Sequence, residues 1–268
     1  MEFKLLNYPI TKLQNYKMSQ LLLAVDTSGK NGSIALARVS SGCSEVEVVE
    51  AVPLAGGTFS AQLVPQISAL LAKHGNTKFD LAAFAVVSGP GSFTGLRVGL
   101  AAIKALAEVL EKPIAVVSLL EAVARSSPGW SSPGCSSQRR SSPRQPGPAP
   151  LRILAALDAG RGEIYVGDYE RSDDTSGPSA RMHSERLLSR AEFLAEAQGT
   201  PVVTPDPSVA EALRAAAIPC ERIDYPASGV IARLGWERIQ RGQTVRPEDL
   251  EANYIRRSDA EIFSQPKP

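Results

Sequence analysis

L-L-L-A-V-D-T-S, residues 21–28, is a continuous apolar run that ends in an acid and two hydroxyls, and it reads as a strand buried on both faces. G-K-N-G at 29–32 supplies a turn. Residues 33–39 and 46–52 then read as two further strands, the last with partial alternation, so the chain opens as an antiparallel meander. A helix is expected over about 60–74, where Leu63, Ile67, Leu70 and Leu71 recur at helical spacing and Pro65 is tolerable only near the first turn. Residues 80–87 read as another buried strand, 95–110 as a second helix, and 114–117 as a strand introduced by Lys112-Pro113. The order is three strands, helix, strand, helix, strand, helix. A meander followed by crossover helices implies an α/β fold: a mixed sheet with helices on its faces.

Residues 126–150 break this pattern. Ser, Pro and Gly make up 17 of the 25, none is acidic, and a pentad beginning Ser-Ser recurs at 126, 131, 136 and 141. Such a composition buries too little apolar surface to offset its ordering entropy, so a flexible insertion is expected, with Arg139, Arg140 and Arg144 solvated or touching phosphate. Order returns with strands at 151–157 and 164–169 around D-A-G-R-G-E, a hairpin pattern. Ser189 with Glu192, and Ser208 with Glu211, form two capping-box patterns ahead of alanine-rich helices, with a short strand at 201–204 between them. A helix over about 228–241 and the tail L-E-A-N-Y-I-R-R at 250–257 close the chain. The expected divisions are an arm or leader at 1–18, a first lobe at 19–125, the insertion at 126–150, a smaller α/β lobe at 151–226, and a C-terminal helix and tail at 227–268. Met18, immediately before the first strand, is a candidate alternative start.

The chain has 268 residues, enough for two small domains, and its 29 Lys and Arg against 28 Asp and Glu leave a net charge of +1. That balance argues against a protein that binds nucleic acid alone. Two histidines, His74 and His183, and three scattered cysteines, Cys43, Cys135 and Cys220, exclude a zinc finger, a disulfide scaffold and a His-rich metal site. No apolar run is long enough to span a bilayer and the first 17 residues lack signal-peptide features, so a reduced, cytoplasmic location is expected.

The most specific stretch is S-G-P-G-S-F-T-G-L-R-V-G, residues 88–99. It ends a strand, turns on small residues and enters a helix, where free backbone N–H groups favour an anion; alternatively, the small residues let the helix pack tightly. It lacks the Lys-Ser/Thr pair of a Walker A loop. Asp26, Asp158 and Glu163 are the carboxylates near turns. Asp26 either caps its turn, the reading we favour, or helps hold a metal-bound nucleotide. Ser92 or Thr94 as a nucleophile lacks a nearby histidine base.

Together A-V-D-T-S (24–28), G-P-G-S-F-T-G-L-R (89–97), L-D-A-G-R-G-E-I-Y (157–165) and N-Y-I-R (253–256) resemble, in order, the motifs of the TsaB (YeaZ) family. The third block departs from the usual pattern at Gly160, and the insertion replaces a loop that is not carried over. The resemblance implies an actin-like ATPase fold of two ribonuclease-H-like lobes. It also implies a role in making threonylcarbamoyladenosine beside the anticodon of tRNAs that read codons starting with A. By the resemblance this subunit is not the catalyst: it pairs with the paralogue TsaD, which transfers the group, and with the ATPase TsaE, a second copy of itself being the alternative partner. The catalytic paralogue carries two metal-binding histidines four apart just after a Lys-Pro and a strand. Aligned on Lys112-Pro113, those positions hold Leu119 and Val123, neither of which has a lone pair for a metal.

In the second helix Leu96, Leu100, Ile103 and Leu110 form one apolar side and Val98, Ala102, Ala105 and Val109 another, so the helix is expected to be buried on more than one side. With the resemblance admitted, Leu63, Ile67, Leu70, Leu71, Gly95, Val98, Gly99, Ala102, Ala105 and Leu106 are the expected partner surface, and Gly95, Gly99, Ala101 and Ala102 would permit close helix approach. Asp26, Thr27, Ser28, Gly91, Ser92 and Arg161 are the expected nucleotide contacts. No cofactor is required of this chain, no metal and no membrane contact are expected, and ATP or ADP is left as a ligand of the complex interface. The alternative is an ATPase or small-molecule kinase of the actin-like superfamily; a metallopeptidase would need a bound metal.

Overall fold

The computed structural model describes residues 19–40, 45–128, 130, 152–174 and 177–255. β1 (Ser19–Asp26), β2 (Gly32–Ser40) and β3 (Val46–Leu54) form the antiparallel meander, and α1 (Phe59–Lys73) follows. β4 (Leu81–Gly89), α2 (Phe93–Leu110), β5 (Ile114–Ser118) and α3 (Leu119–Arg125) complete the first half. The sheet order is β3-β2-β1-β4-β5, with β1, β4 and β5 mutually parallel. The apolar run at 21–28 lies in the sheet centre, where Leu22, Leu23, Ala24 and Val25 are fully buried.

The second half repeats the plan. β6 (Arg152–Gly160), β7 (Glu163–Asp174) and β8 (Gly177–Ser189) form a meander, followed by α4 (Arg190–Glu196), β9 (Val202–Thr204), α5 (Pro207–Ala215), β10 (Cys220–Arg222) and α6 (Ser228–Gln240). Its sheet runs β10-β9-β6-β7-β8, the same order of meander and crossover strands as the first. Each half ends in a helix that packs on the other half. α3 lies against β6 and β7, and α6 covers β1, β2, β4 and β5. The sequence places the 228–241 helix after the second lobe; in space it belongs to the core of the first, through Ile231, Ala232, Leu234 and Trp236.

Three local readings are corrected. β8 and β10 are not apparent as strands in the sequence, because the described side chains of β8 are half-buried or exposed and β10 has only three residues. The Ser208–Glu211 box does not form: α5 starts at Pro207, which fits the first helical position, so Asp206 becomes the N-cap residue and Ser208 lies inside the helix. The Ser189–Glu192 box does form, with both reciprocal bonds in place. The insertion does not begin at 126. There Ser126 and Ser127 continue the end of α3, the Ser127 hydroxyl donates to Glu221 at 2.6 Å, and Trp130 is buried in the core. Residues 131–150, with Arg139, Arg140 and Arg144, lie outside the described residues, as do the expected arm at 1–18 and Arg256.

Candidate functional site

β1 ends at a turn held by its own acid. The Ser28 N–H and hydroxyl both donate to Asp26 Oδ1, at 2.8 and 2.5 Å. Asp26 is 5% exposed; burial pushes its carboxyl above the usual range, against the pull of the Ser28 hydroxyl and amide. Thr27 points into α2, where its hydroxyl donates to the Gly95 carbonyl at 2.7 Å, and the Ser92 N–H donates to the Ser28 carbonyl at 2.7 Å. The glycines of the 88–99 stretch serve this approach. A Cβ on Gly91 would lie 2.3 Å from Ser28 O, one on Gly95 2.1 Å from Thr27 O, and one on Gly99 2.3 Å from Thr27 Oγ1.

Opposite this turn is the β6–β7 hairpin, where Gly160, Arg161 and Gly162 all have positive φ, 70°, 57° and 79°. Its Asp158 is fixed on both sides: Oδ1 accepts the Gly160 N–H at 2.7 Å and Oδ2 the Ser208 hydroxyl at 2.8 Å. Asp206 accepts the Asp158 N–H at 2.7 Å and the Tyr225 hydroxyl at 2.7 Å, while burial and then Asp206 push the Tyr225 phenol far above its usual range. The C-terminal segment straps the third wall. The Asn253 N–H donates to the Ser88 carbonyl at 2.8 Å, and the Tyr254 ring meets that of Phe93 at 5.0 Å. The Arg97 guanidinium lies 3.7 Å over Phe93 and donates to the Tyr254 hydroxyl at 3.2 Å.

These walls enclose a cleft of about 1120 Å³, and each of the four sequence blocks contributes to its lining: Ser28, the 90–93 loop with Leu96 and Arg97, the 157–161 turn with Tyr165, and 253–255. Ser28, Gly91, Ser92 and Arg161 of the expected nucleotide contacts are brought together there. Asp26 and Thr27 are not part of the lining. They stand behind it, holding the turn and the start of α2, and this is the turn-capping reading of Asp26. Asp206 and Tyr225 face the cleft without any signal in the sequence. Arg97 and Tyr254 lay inside quoted motifs, yet only the fold brings them into contact.

Residues 53–209, more than half of the chain, match the family model described as TsaD: tRNA N6-adenosine threonylcarbamoyltransferase. The chain belongs to this family. It is 29% identical over 153 residues to the tRNA threonylcarbamoyladenosine biosynthesis protein TsaB of Escherichia coli, covering 57% of this chain and 56% of that protein. It is 31% identical over 149 residues to TsaB of Bacillus subtilis, covering 56% and 55%. The chain thus spans about half the length of these curated relatives. YeaZ from Pseudomonas aeruginosa shares the fold at a TM-score of 0.63 and 22% identity, over 88% of this chain and 99% of that one. The shared fold with YeaZ from Pseudomonas aeruginosa comprises two five-stranded sheets of equal strand order.

Where the TsaD resemblance puts metal ligands, α3 of this family member presents Leu119 and Val123, 3% and 0% exposed, packed in the core. The residues present there do not fit a metal. Among the described residues no group of three His, Cys, Asp or Glu is arranged to hold one. His74 bonds Glu50 at 2.7 Å beside the first sheet, and His183 bonds Glu170 at 3.0 Å across β7 and β8.

The expected partner surface is largely redrawn. Leu63, Ile67, Leu70 and Leu71 are buried between α1 and the chain's own first sheet, because a helical apolar period marks a covered face without saying what covers it. Gly95 and Gly99 are buried against Thr27 and accommodate that turn, not a second helix. The two apolar sides of α2 separate as read: Leu96, Leu100 and Ile103 are core, while Val98, Ala102 and Leu106 are half-buried and Ala105 and Val109 are exposed. Val64 is exposed on neighbouring α1. No helix among the described residues is long and apolar enough to cross a membrane.

Proposed function

We propose that this chain is the partner-binding, non-transferring subunit in the formation of N6-threonylcarbamoyladenosine in tRNA, supporting a TsaD-type catalytic subunit together with TsaE. The observation that carries the reading is the family membership combined with two buried aliphatic side chains, Leu119 and Val123, at the aligned positions of the paralogue's metal ligands. The near-neutral chain then leaves tRNA to be held mainly by its partner. Its own contribution is the outward stripe of α2, Val98, Ala102, Ala105, Leu106 and Val109, which is apolar along three helical turns. Small side chains there let a partner helix approach closely, either from TsaD or from a second copy of this chain.

Mixing the purified chain with its cognate TsaD tests this. A heterodimer is expected, tRNA modification should require it, and Ala102→Glu should weaken it at least tenfold by burying an unpaired charge. Full modification without this chain would refute the reading. A second reading, a nucleotide-binding ATPase or kinase, is favoured by the 1120 Å³ cleft on which all four motifs converge. Calorimetry with ATP and magnesium separates the two: micromolar binding and turnover by the isolated chain would favour the enzyme.

A further inference from the structure

Asn253 lines two cavities: the front cleft, and behind it a second cavity of about 340 Å³ bordered by α3, α6, β7 and β8. The C-terminal strap is therefore a partition between them. One end is fixed, because Leu250 is 6% exposed and packed in the core of the first half. Past it Ala252 and Ile255 are half-buried, while Asn253 and Tyr254 are exposed and held by polar contacts and one aromatic contact. The Asn253 N–H is bonded to the Ser88 carbonyl at the end of β4, and its side-chain amide donates to Glu185 of β8 at 3.0 Å. Tyr254 accepts from Arg97. The other Glu185 oxygen accepts the hydroxyls of Ser118 and Tyr169, so this carboxylate keeps its place whether or not Asn253 is on it. Gly89 makes room for the closed position: a Cβ there would lie 2.6 Å from the Asn253 carbonyl oxygen, and its φ of 138° suits only glycine. A short segment with exposed hydrogen bonds and little buried apolar surface opens at far lower cost than the fold beneath it, and it closes again onto a socket that has not moved.

We propose that residues 251–255 are a gate hinged beyond Leu250: released from Glu185, the segment leaves the gap between the two halves and joins the front cleft to the rear cavity. The Asn253–Glu185 bond then sets how far the front cleft opens toward the second half, whatever occupies the cleft. The gate is built from this chain's own contacts and does not depend on the partner-binding reading.

Hydrogen exchange of the full chain, corrected for intrinsic rates, tests the gate with two variants at the exposed position. Asn253→Ala removes the side-chain bond and keeps the backbone bond to Ser88. A bond to a charged acceptor is worth about tenfold in an opening equilibrium, so exchange over 253–255 should rise about tenfold. Asn253→Asp sets a carboxylate against Glu185 and should raise it further. Passage between the cavities is read by thiol labelling of Ser88→Cys, a position 5% exposed on the wall of the rear cavity. Its labelling should speed up about tenfold when Asn253→Asp is added, while Cys220 on β10, in the same chain, labels at its original rate. Exchange at 253–255 unchanged in Asn253→Asp would overturn the proposal. So would Ser88→Cys labelling that does not respond, or that speeds up only in step with Cys220, the mark of a general loosening.

Discussion

Gly95→Ala tests whether the small residues at the start of α2 serve this chain's own packing. The added methyl would sit 2.1 Å from the Thr27 carbonyl oxygen, 3.3 Å from its carbon and 3.4 Å from the Phe59 ring. The obstacle at closest approach is backbone in a buried turn, so α2 must retreat by about 1 Å, and overpacking of this kind costs roughly 1–3 kcal/mol. That retreat stretches the Thr27 hydroxyl bond to Gly95 and the Ser92 bond to Ser28, both 2.7 Å, each worth about 1 kcal/mol. Replacing glycine in a helix returns about 1 kcal/mol of propensity. The net expectation is a loss of about 2–4 kcal/mol, read in urea unfolding as a lower midpoint at unchanged m-value. Ala105→Gly, on the exposed side of the same helix, should cost only about 1 kcal/mol. If Gly95→Ala is as stable as the wild type, the α2–turn contact is not tight and Gly95 is free to serve a partner helix instead.

Three further outcomes follow from the geometry. Because burial raises the Asp26 pKa, the folded chain holds a proton that the unfolded chain has released. Stability therefore falls as pH rises from about 4 through the folded value, and Asp26→Asn should flatten that slope, measured as unfolding midpoint against pH. Asp168 is the opposite case: the Arg152 guanidinium, bonded at 2.9 and 2.6 Å, holds its carboxyl low. The stability this pair contributes is present above the usual carboxylate range and lost as pH falls through the lowered value; Arg152→Met should remove that acid limb. Tyr254→Ala removes the contact with Phe93 and Arg97, about 1 kcal/mol, and should speed amide exchange at 253–255 while leaving β1 exchange unchanged.

The first sheet was legible because its strands are continuous apolar runs and its helices have a clear apolar period. Residues 21–26 could hardly be anything but a central strand. The second half was harder for a physical reason: β8 alternates weakly and its described side chains are half-buried or exposed, and β10 is held by only three residues. The duplication is one of strand order and is carried by no repeated motif, so it emerges only from the pairing. Periodicity identified Leu63, Ile67, Leu70 and Leu71 as a covered face, but core and interface bury the same kinds of side chain, and the choice between them depends on where the sheet lies. The cleft is half legible: the four blocks are visible in the sequence, but a helix-start pattern at 206–211 does not say that Asp206 faces a cleft, Tyr225 lies in a loop, and Asp26 supports the turn from behind the lining.

On the proposed function, this chain docks a TsaD-type partner through the outward stripe of α2. Sedimentation velocity of the chain mixed with its cognate TsaD, alongside Ala102→Glu and Val109→Glu, measures this directly. A one-to-one complex that forms with the wild type and is lost in both variants, each folded as judged by unchanged urea midpoints, is the expected result. No complex with the wild type, or full complex formation by both variants, would contradict it.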